Sequence, residues 1–532
     1  MAGGRGPDST EYLTPKLSHQ WPKPRTKGWW TVMVDGVAIR KVCGIETEYG
    51  IVQRGAGESN PITASSILIN AYVAALARRI AWDFEDESPG NDARGFALDG
   101  ALPPEVETHM VNAVLTNGAR YYVDHAHPEY SSPECGDALA ATVYDKAGEL
   151  ILAESMKAAQ RSLPSGQSIV VYKNNSDGKG NSYGTHENYL MDRDVPFTRI
   201  VQQMVPFFVT RQIFAGAGKV GTEVVTGDQK VPFQLSSRAD FFEEEVGLET
   251  TLKRPIINTR DEPHADARRY RRLHVIIGDA NMSEVSTFLK LGSTSFVLSC
   301  IEDQRLNDLD LALAAPVNDV RQVSYDLSMT RSLELKSGKR MTALEIQWEY
   351  YDRARKFAED EGFDSVGGDT VGRQILSRWE QALGGLESDP LSLSEQLDWV
   401  AKYKLLDAYR ERHMLDWDDP KLAAMNLQYH DLRPEKSLFA RLPVEKLVSD
   451  KDAIRATTEP PNDTRAYFRG KCLQKWGNSI AAANWDSIVF DLGTDPLRRI
   501  PMMDPLRGTA QAVDELLERC ETPAELIDQL GA

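Results

Sequence analysis

The sequence predicts an α+β fold in which a mostly antiparallel, curved sheet packs on helices and a small C-terminal domain follows. The main observation is a set of strand-like segments that carry polar residues two positions apart. These pairs are Glu46/Glu48, Tyr122/Asp124, His186/Asn188 and Arg272/His274. Residues two apart share one face of a strand, so four such pairs predict one polar sheet face that is open to a ligand. Amphipathic helical patterns, the longest from about Thr342 to Arg412, supply the helices.

Composition excludes several classes of function. The chain has 532 residues and a net charge of −18, which disfavours general nucleic-acid binding because phosphates would be repelled. No apolar run is long enough to cross a bilayer. The five cysteines are scattered and form no CxxC motif, which is typical of a reducing compartment. We therefore expect a cytoplasmic protein that binds neither nucleic acid nor membrane.

The chain divides into three predicted parts. Residues 1–36 are rich in Pro, Gly, Lys and Trp and are expected to form a disordered extension. A catalytic domain is predicted over 37–455, and Pro460-Pro461 marks the approach to a small domain over 456–532.

The first elements of the catalytic domain are a strand and a helix. A strand is expected within Val37–Val52, and Ser65 is expected to cap the helix that follows. Next comes an acidic insertion over 82–107, punctuated by Gly and Pro. Because Trp82, Phe84 and Phe96 are embedded in it, this loop is expected to dock on the protein.

The densest concentration of functional side chains lies in Gly118–Tyr130. It predicts a strand from Arg120 to His125 that runs into a turn at Pro128. Tyr122 and Asp124 would share one face, and the turn would bring Glu129 close to them. Burying a carboxylate is costly, so Asp124 is either a hydrogen-bonded core residue or part of a site. Strand alternation places His125 on the opposite face, in a structural role.

The segments beyond this region continue the alternation of strands and helices. A helix is expected over Thr142–Arg161, a strand over Ser168–Tyr172 and a helix over Ser283–Leu291. Between the last two, residues 251–274 form the most basic segment of an acidic chain. Its cations are Lys253, Arg254, Arg260, Arg268, Arg269, Arg271 and Arg272.

Carboxylates, histidines and arginines on one sheet face are the residue types of a metal–nucleotide site. Mg²⁺ prefers hard oxygen ligands, and arginine offers forked donors to phosphates. The sequence lacks a Walker A motif and a Gly-rich dinucleotide fingerprint, so a nucleotide would bind by another scheme. Taken alone, Glu46 and Glu48 fit solvent-facing positions on an edge strand equally well.

Four motifs together resemble the family of Pup ligases and Pup deamidases, relatives of glutamine synthetase and glutamate–cysteine ligase. The motifs are Gly44–Gly50, Asn117–Tyr130, Tyr183–Asn188 and Arg272–Asn281. The resemblance runs from about Arg40 to the C-terminus and implies a glutamine synthetase-like fold. The insertion after Trp82 and the segments Val123–His127 and Leu248–Pro255 are similar to the deamidase branch. Only Gly44-Ile-Glu-Thr-Glu48 is closer to the ligase spelling.

The resemblance implies an ATP- and Mg²⁺-dependent hydrolase that acts on the small protein modifier Pup. It would deamidate the C-terminal Gln of Pup to Glu and cleave the Pup–lysine isopeptide bond, with ATP as a bound cofactor. Asp124 would be the catalytic carboxylate, as nucleophile or as base. The implied metal ligands are Glu46, Tyr122, Glu129, His186 and His274. The implied cofactor-binding residues are Gly44, Glu46, Glu48, Ser131, Ser132, Asn188, Arg238, Arg272 and Trp485.

The same resemblance implies partners and leaves alternatives. The partners would be Pup and pupylated proteins, with a functional link to the bacterial proteasome, and the enzyme is expected to be a monomer. Because Pup is acidic, residues 251–274 and Arg211 are expected to line its groove. The first alternative is the Pup–protein ligase, which would form the isopeptide through a γ-glutamyl phosphate. The others are a non-catalytic Pup-binding or nucleotide-sensing protein, and a small-molecule carboxylate–amine ligase.

Overall fold

The structure of the protein is a computed structural model. The residues that it describes are 38–57, 60–76, 80–85, 87–97, 111–223, 231–493 and 496–531. The predicted extension over 1–36 and the second half of the acidic insertion, from residue 98, lie outside the described residues.

One large sheet organises the fold. The strands in chain order are β1 (Cys43–Glu48), β2 (Gly50–Arg54), β3 (Ile80–Trp82), β4 (Asn91–Asp92), β5 (Phe96–Ala97), β6 (Asn112–Val114), β7 (Arg120–Asp124), β8 (His127–Ser131), β9 (Ser168–Tyr172), β10 (Thr185–Asp192), β11 (Lys219–Val220), β12 (Phe233–Gln234), β13 (Phe242–Gly247), β14 (Arg254–Asn258), β15 (Tyr270–Val275), β16 (Ser332–Glu334), β17 (Arg340–Thr342), β18 (Ile480–Ala483), β19 (Ser487–Phe490) and β20 (Arg498–Pro501). Ten of them form a sheet in the order β15-β10-β1-β8-β7-β6-β3-β18-β19-β20. Each neighbouring pair in it is antiparallel except β3 and β18. The predicted α+β class with a mostly antiparallel sheet is confirmed.

Helices cover the apolar side of this sheet. In chain order they are α1 (Pro61–Ala75), α2 (Ala138–Gln160), α3 (Phe197–Thr210), α4 (Gln212–Ala215), α5 (Glu284–Glu302), α6 (Pro316–Ser324), α7 (Ala343–Glu361), α8 (Gly368–Ser388), α9 (Asp398–His413), α10 (Pro420–Tyr429), α11 (Asp450–Ala456), α12 (Arg465–Trp476), α13 (Ala510–Arg519) and α14 (Pro523–Leu530). Helix α2 packs on β1 and β9, and α5, buried along its whole length, packs on β10. None of the helices described here is long and apolar enough to cross a membrane.

The predicted element boundaries hold closely in the apolar segments. The strand expected over 168–172 is β9, and the helix expected over 142–161 is α2, which starts four residues earlier. The expected cap of α1 is wrong. Asn60, rather than Ser65, accepts from the Thr63 backbone N–H at 3.2 Å, while the buried Ser65 hydroxyl donates to the Ala126 carbonyl at 2.9 Å. Ser65 therefore anchors the turn that follows β7.

The C-terminal part of the chain extends the same sheet. Strands β18–β20 join it through β3, a strand from the start of the acidic insertion. They also share a hydrophobic cluster of their own with α12, α13 and α14. The division into 37–455 and 456–532 stays a prediction, because the sheet itself runs across that boundary.

Candidate functional site

Five adjacent strands carry the predicted polar pairs to one place. Within the order β15-β10-β1-β8-β7, Glu46 on β1 lies opposite His186 on β10 and opposite Ser131 on β8. Glu48 lies opposite Glu129, which in turn lies opposite Tyr122 on β7. Antiparallel pairing puts directly opposite side chains on the same face. The alternation seen in the sequence thus becomes one continuous polar surface.

Two groups of ligand-type side chains form on this surface. Glu48, Asp124 and Glu129, here called the acid trio, place their ligand atoms within 4.8 Å of one another. Glu46, His186 and His274, here called the mixed trio, meet the same criterion.

The mixed trio is held in place by hydrogen bonds. The Asn188 amide donates to Glu46 at 2.7 Å, and the Arg272 guanidinium donates to the Asn188 carbonyl oxygen at 2.7 Å. The Nδ1 atom of His274 lies 3.0 Å from that same oxygen.

The acid trio concentrates carboxyl groups in one place, which suits a divalent cation. Burial and the neighbouring carboxylates of Asp124, Glu48 and Glu46 raise the pKa of Glu129 well above its ordinary value. Burial acts in the same direction on Glu48, but the neighbouring imidazoles of His127, at 3.6 Å, and of His186 outweigh it and lower the pKa of Glu48 to about 2. Three carboxyl groups that offer ligand atoms within 4.8 Å of one another fit hard-cation chemistry.

The mixed trio also fits a metal. Burial disfavours the Glu46 carboxylate, but His186, His274 and Arg272 hold its pKa well below the ordinary range. Burial and the Arg272 guanidinium lower the pKa of His274, so its imidazole is neutral at neutral pH. Neutral imidazole is the form that binds metals.

Tyr122 lies opposite Glu129, one of the predicted metal ligands, on the neighbouring strand. Burial and the charges of Glu129 and Asp124 raise the pKa of its phenol, which stays neutral and donates a hydrogen bond to Glu129. Its assignment as a metal ligand stays a prediction, and the observed contact is with a carboxyl group.

Three neighbouring cavities surround these groups. The apolar pocket is lined by Gly44, Glu46, Ser131, Ser132, Asn188, Arg272 and Trp485, with His264, Glu134 and Arg465 among its other walls. The central cavity contains the mixed trio together with Tyr122, Asp124, Glu129, Arg120 and Glu87. The lateral cavity is lined by Glu48, Asp124, His125, His127, Arg238, Lys253 and Arg254. Asp124 and His125 belong to both the central and the lateral cavity, so they stand where the two meet.

The apolar pocket brings together most of the predicted nucleotide-lining residues. A Cβ atom on Gly44 would lie 3.2 Å from the Ser132 hydroxyl, so glycine allows the close approach of β1 to β8. Glu134 accepts from Arg465 at 2.7 Å, and Arg469 donates to the Trp485 carbonyl at 2.9 Å. No sequence pattern pointed to Glu134, Arg465 or Arg469, because their pairing joins segments more than three hundred residues apart.

Arg238 and Glu48 lie away from this pocket, in the lateral cavity. Arg238 is buried, and its guanidinium donates to the carbonyl of Ile276 and, at 3.3 Å, to the Ser182 hydroxyl. Arg254 donates to the Ser182 carbonyl at 3.0 Å. Burial and the like charge of Arg254 lower the pKa of Arg238 to about 10, which still leaves it charged. Among the residues described, neither arginine forms an ion pair with a carboxylate, so the two together offer a site for an anion.

The described half of the acidic insertion docks beside the site. The Arg120 guanidinium lies 4.1 Å from the centre of the Trp82 ring and 3.9 Å from that of Tyr122. Trp82 also meets the edge of Trp485 at 5.2 Å and donates to Glu87 at 2.6 Å. Docking of Trp82 agrees with the expectation from the sequence.

Further along the insertion, Asp92 anchors the chain to the segment before β15. It accepts from the Thr259 hydroxyl at 2.6 Å. Phe96 does not dock in the same way, since 48% of it is exposed.

Two residues lie elsewhere than expected. Arg211 is buried and donates to both carboxylate oxygens of Glu187, at 2.6 and 2.8 Å, so it lines no groove for an acidic partner. His125 does not lie on the far face of β7. That strand ends at Asp124, and His125 turns back with φ of 49° so that its Nδ1 atom lies 2.6 Å from Asp124 Oδ2.

Comparison with known proteins gives one consistent group. Residues 41–489 match the model of the Pup-ligase protein family. A depupylase of Acidothermus cellulolyticus is 52% identical, with 92% of this chain and 99% of that protein aligned. A Pup deamidase/depupylase of Mycobacterium tuberculosis is 49% identical over 93% of this chain and 99% of that one. A Pup–protein ligase of Acidimicrobium ferrooxidans is 38% identical over 90% and 98%.

Two solved structures are similar along most of the chain. The complex between prokaryotic ubiquitin-like protein Pup and its ligase PafA superimposes with a TM-score of 0.76 at 32% identity, covering 92% of this chain and 94% of that one. The Pup ligase PafA in complex with ADP gives a TM-score of 0.69 at 36% identity, covering 76% and 89%.

Proposed function

The chain belongs to the Pup-ligase protein family, and from this premise we propose that it is a Pup deamidase and depupylase. It hydrolyses the side-chain amide of the C-terminal Gln of Pup to Glu, and it hydrolyses the isopeptide bond that joins that side chain to a lysine. The higher identity to relatives named for these two activities supports hydrolysis over ligation. The observation that carries the proposal is the place of Asp124, where the central and lateral cavities meet.

The apolar pocket and the central cavity are the proposed site of ATP and Mg²⁺. The ADP complex of a family member supports a nucleotide. The adenine base of ATP would lie in the apolar pocket near Trp485, and Arg272 would face the phosphates. The donor sets of the mixed trio and the acid trio fit Mg²⁺, with Tyr122 beside them. When bound, Mg²⁺ would supply positive charge for the phosphates and for the oxyanion that develops on the amide.

The proposed reaction consumes one water molecule and is written on the residues of this chain. The side-chain amide enters from the lateral cavity and presents its carbonyl carbon to Asp124. The Asp124 carboxylate acts on that carbon either by direct attack or by removing a proton from the attacking water. In direct attack, Asp124 forms an anhydride as the C–N bond breaks, and the nitrogen leaves as ammonia or the lysine amine with a proton from water. The remaining hydroxide then hydrolyses the anhydride to free both carboxylates. In the base route, Asp124 takes the proton of the attacking water and passes it to the nitrogen as the C–N bond breaks, and the new carboxyl group gives its own proton to the released amine.

The lateral cavity is the proposed entry for the end of Pup. Arg238 and Arg254 would bind the free α-carboxylate of its last residue through forked donors. Lys253 and the exposed Leu252 lie at the rim, where an acidic chain with apolar anchors would pass. Of the predicted basic segment, Lys253 and Arg254 line this cavity, whereas the exposed Arg268 pairs with Asp266 outside it.

We further propose the cellular setting. The enzyme acts as a monomer in the cytoplasm on Pup and pupylated proteins, in a pathway linked to the bacterial proteasome. The five cysteines are all buried free thiols, which supports a reducing compartment.

Intact-mass spectrometry tests the proposal. Pup ending in Gln is incubated with the protein, ATP and Mg²⁺, beside Asp124→Asn. Replacement of the amide nitrogen by oxygen, with release of ammonia in the wild type alone, is the expected result. If Pup-Gln stays unchanged while Pup-Glu becomes conjugated to a lysine substrate, the ligase alternative is correct.

A further inference from the structure

The turn after β7 holds a histidine in an unusual backbone conformation directly against the proposed catalytic carboxylate. His125 and Ala126 connect β7 to β8, and His125 has φ of 49°. Residues with a Cβ atom seldom adopt this left-handed region, and such strain tends to persist where the surroundings enforce it for function. Here the turn is held by the buried Ser65 on α1, whose hydroxyl donates to the Ala126 carbonyl at 2.9 Å.

The geometry turns the imidazole toward Asp124 instead of away from it. Nδ1 of His125 lies 2.6 Å from Oδ2 of Asp124. An ionised carboxylate only accepts hydrogen bonds, so Nδ1 must carry the proton and donate it. One oxygen of Asp124 is thereby committed, which leaves Oδ1 as the oxygen that can act on the amide carbon.

The exposure of the two groups fits a positioning role. The His125 side chain is 54% exposed, whereas that of Asp124 is 24% exposed. A half-exposed histidine contributes little packing to the core, which suits a residue whose role is to contact Asp124. Both residues line the central and the lateral cavity.

We propose that His125 is a positioning residue that orients the Asp124 carboxylate for attack at the side-chain amide. This inference rests on the proposed function for its kinetic consequence. The hydrogen bond fixes the rotation of the carboxylate, and the left-handed turn is what brings the imidazole within reach. Residues that orient a metal ligand through one hydrogen bond typically contribute about 10- to 100-fold to activity, and we expect the same range for a residue that orients Asp124.

Three substitutions separate the hydrogen bond from the backbone strain. His125→Asn keeps a donor near the position of Nδ1 and tolerates the left-handed conformation. His125→Gly suits the conformation better still but has no donor. His125→Ala loses the donor and keeps the strain. His413→Asn is the matched control, because His413 is exposed at the end of α9, where its ring lies 4.2 Å from that of Tyr409.

Steady-state ammonia release from Pup-Gln gives the kinetic test. The Gly and Ala variants are expected to lose about 10- to 100-fold in kcat with little change in KM, as expected for an orienting group. The Asn variant should recover most of that loss, and the control should match the wild type. Wild-type kcat in His125→Gly, or an Asn variant as slow as the Gly variant, would overturn the proposal.

A second measurement does not depend on the reaction. In protein labelled with ¹⁵N-histidine, the His125 ring signal is assigned by its absence from His125→Asn. The Nδ1-protonated tautomer is expected in the wild type, with a change toward the Nε2-protonated form in Asp124→Ala. Finding the Nε2-protonated form in the wild type refutes the hydrogen bond from His125 Nδ1 to Asp124. A wild type that shows the Nδ1 form but releases no ammonia refutes the proposed function alone.

Discussion

Replacing Glu129 by Gln should stabilise the metal-free protein and abolish its stabilisation by Mg²⁺. Glu129 is buried and faces Asp124 and Glu48, and these carboxylates together with burial raise its pKa. Gln keeps the size of the side chain and removes the charge. Without metal the substitution relieves repulsion, and with metal it removes an anionic ligand.

The expected magnitude follows from the spacing. Two unit charges 4.8 Å apart, the outer limit for the acid trio, repel by about 3.5 kcal/mol at an effective dielectric constant of about 20. Glu129 escapes part of this by taking up a proton, so we expect a gain of about 1 to 2 kcal/mol in the free energy of unfolding. At about 2.1 cal/mol/K of unfolding entropy per residue, that corresponds to a rise of about 1 to 2 °C in Tm for a chain of 532 residues.

The sign of the pH dependence follows from the same shift. Because the pKa of Glu129 is raised in the folded state, the folded protein binds more protons than the unfolded one above the ordinary range for Glu. The stability of the metal-free wild type should therefore fall as the pH rises from that range through the raised pKa. The contribution of Glu48, with its pKa lowered to about 2, is already complete in that window. Glu129→Gln should lack this slope.

Thermal unfolding with EDTA and with Mg²⁺ measures both effects. Saturating Mg²⁺, at a hundred times its Kd, should stabilise the wild type by about 2.7 kcal/mol. The variant should show almost none of this increment, and Glu411→Gln, an exposed position on α9, should behave as the wild type. A variant that is less stable than the wild type in EDTA, or one that keeps the full Mg²⁺ increment, would refute the reasoning.

Three other predictions concern ligands. Trp485→Ala should weaken ATP binding about tenfold in an equilibrium titration, because the apolar pocket loses an aromatic wall. Unchanged affinity would show that the adenine ring of ATP does not bind against Trp485. Arg238→Lys should raise KM for Pup-Gln about 10- to 100-fold, since a forked donor becomes a point charge, while ATP affinity stays constant; an equal loss for ATP would contradict this. Lys253→Glu should weaken Pup binding in a fluorescence titration, whereas Arg268→Glu, outside the lateral cavity, should not; equal effects would exclude this rim.

The polar face of the sheet could be predicted from the sequence because the alternation of side chains along a strand is a local property. The spacing of Glu46 from Glu48 and of Tyr122 from Asp124 states that each pair shares a face. It does not state which strands are neighbours, and the register that sets Glu46 opposite His186 arises only on folding. The four pairs together predict one polar face, and the resemblance to the family added the expected roles of their residues in binding metal and nucleotide.

Two interpretations failed for physical reasons that the sequence hides. As a cation, Arg211 fits a groove for an acidic partner, but the buried Glu187 gives it a carboxylate partner inside the core. Alternation of side chains along β7 predicts His125 on the far face, but the strand already ends at Asp124. A single left-handed residue ends the strand and reverses the direction of the side chain.

The site also depends on pairings that no local pattern contains. Glu134, just after β8, binds Arg465 and Arg469 on α12, and Arg469 holds the backbone of Trp485. These buried ion pairs join the C-terminal strands to the wall of the apolar pocket. A change in one partner would leave an uncompensated buried charge next to the pocket, which is costly. The C-terminal part of the chain therefore contributes to the apolar pocket both through these ion pairs and through Trp485 itself.

An enzyme with a net charge of −18 that binds both a nucleotide and an acidic protein must separate its charges in space. In the described structure the two kinds of charge meet at Asp124. Glu48 and Asp124 of the acid trio line the lateral cavity together with Arg238 and Arg254, and neither arginine forms an ion pair with a carboxylate among the described residues. Because these guanidinium groups are wholly or largely buried, salt screens them less than it screens surface charges. A divalent cation between the acids and an anionic chain end on the arginines would satisfy both sets, and the amide would then lie between them at Asp124.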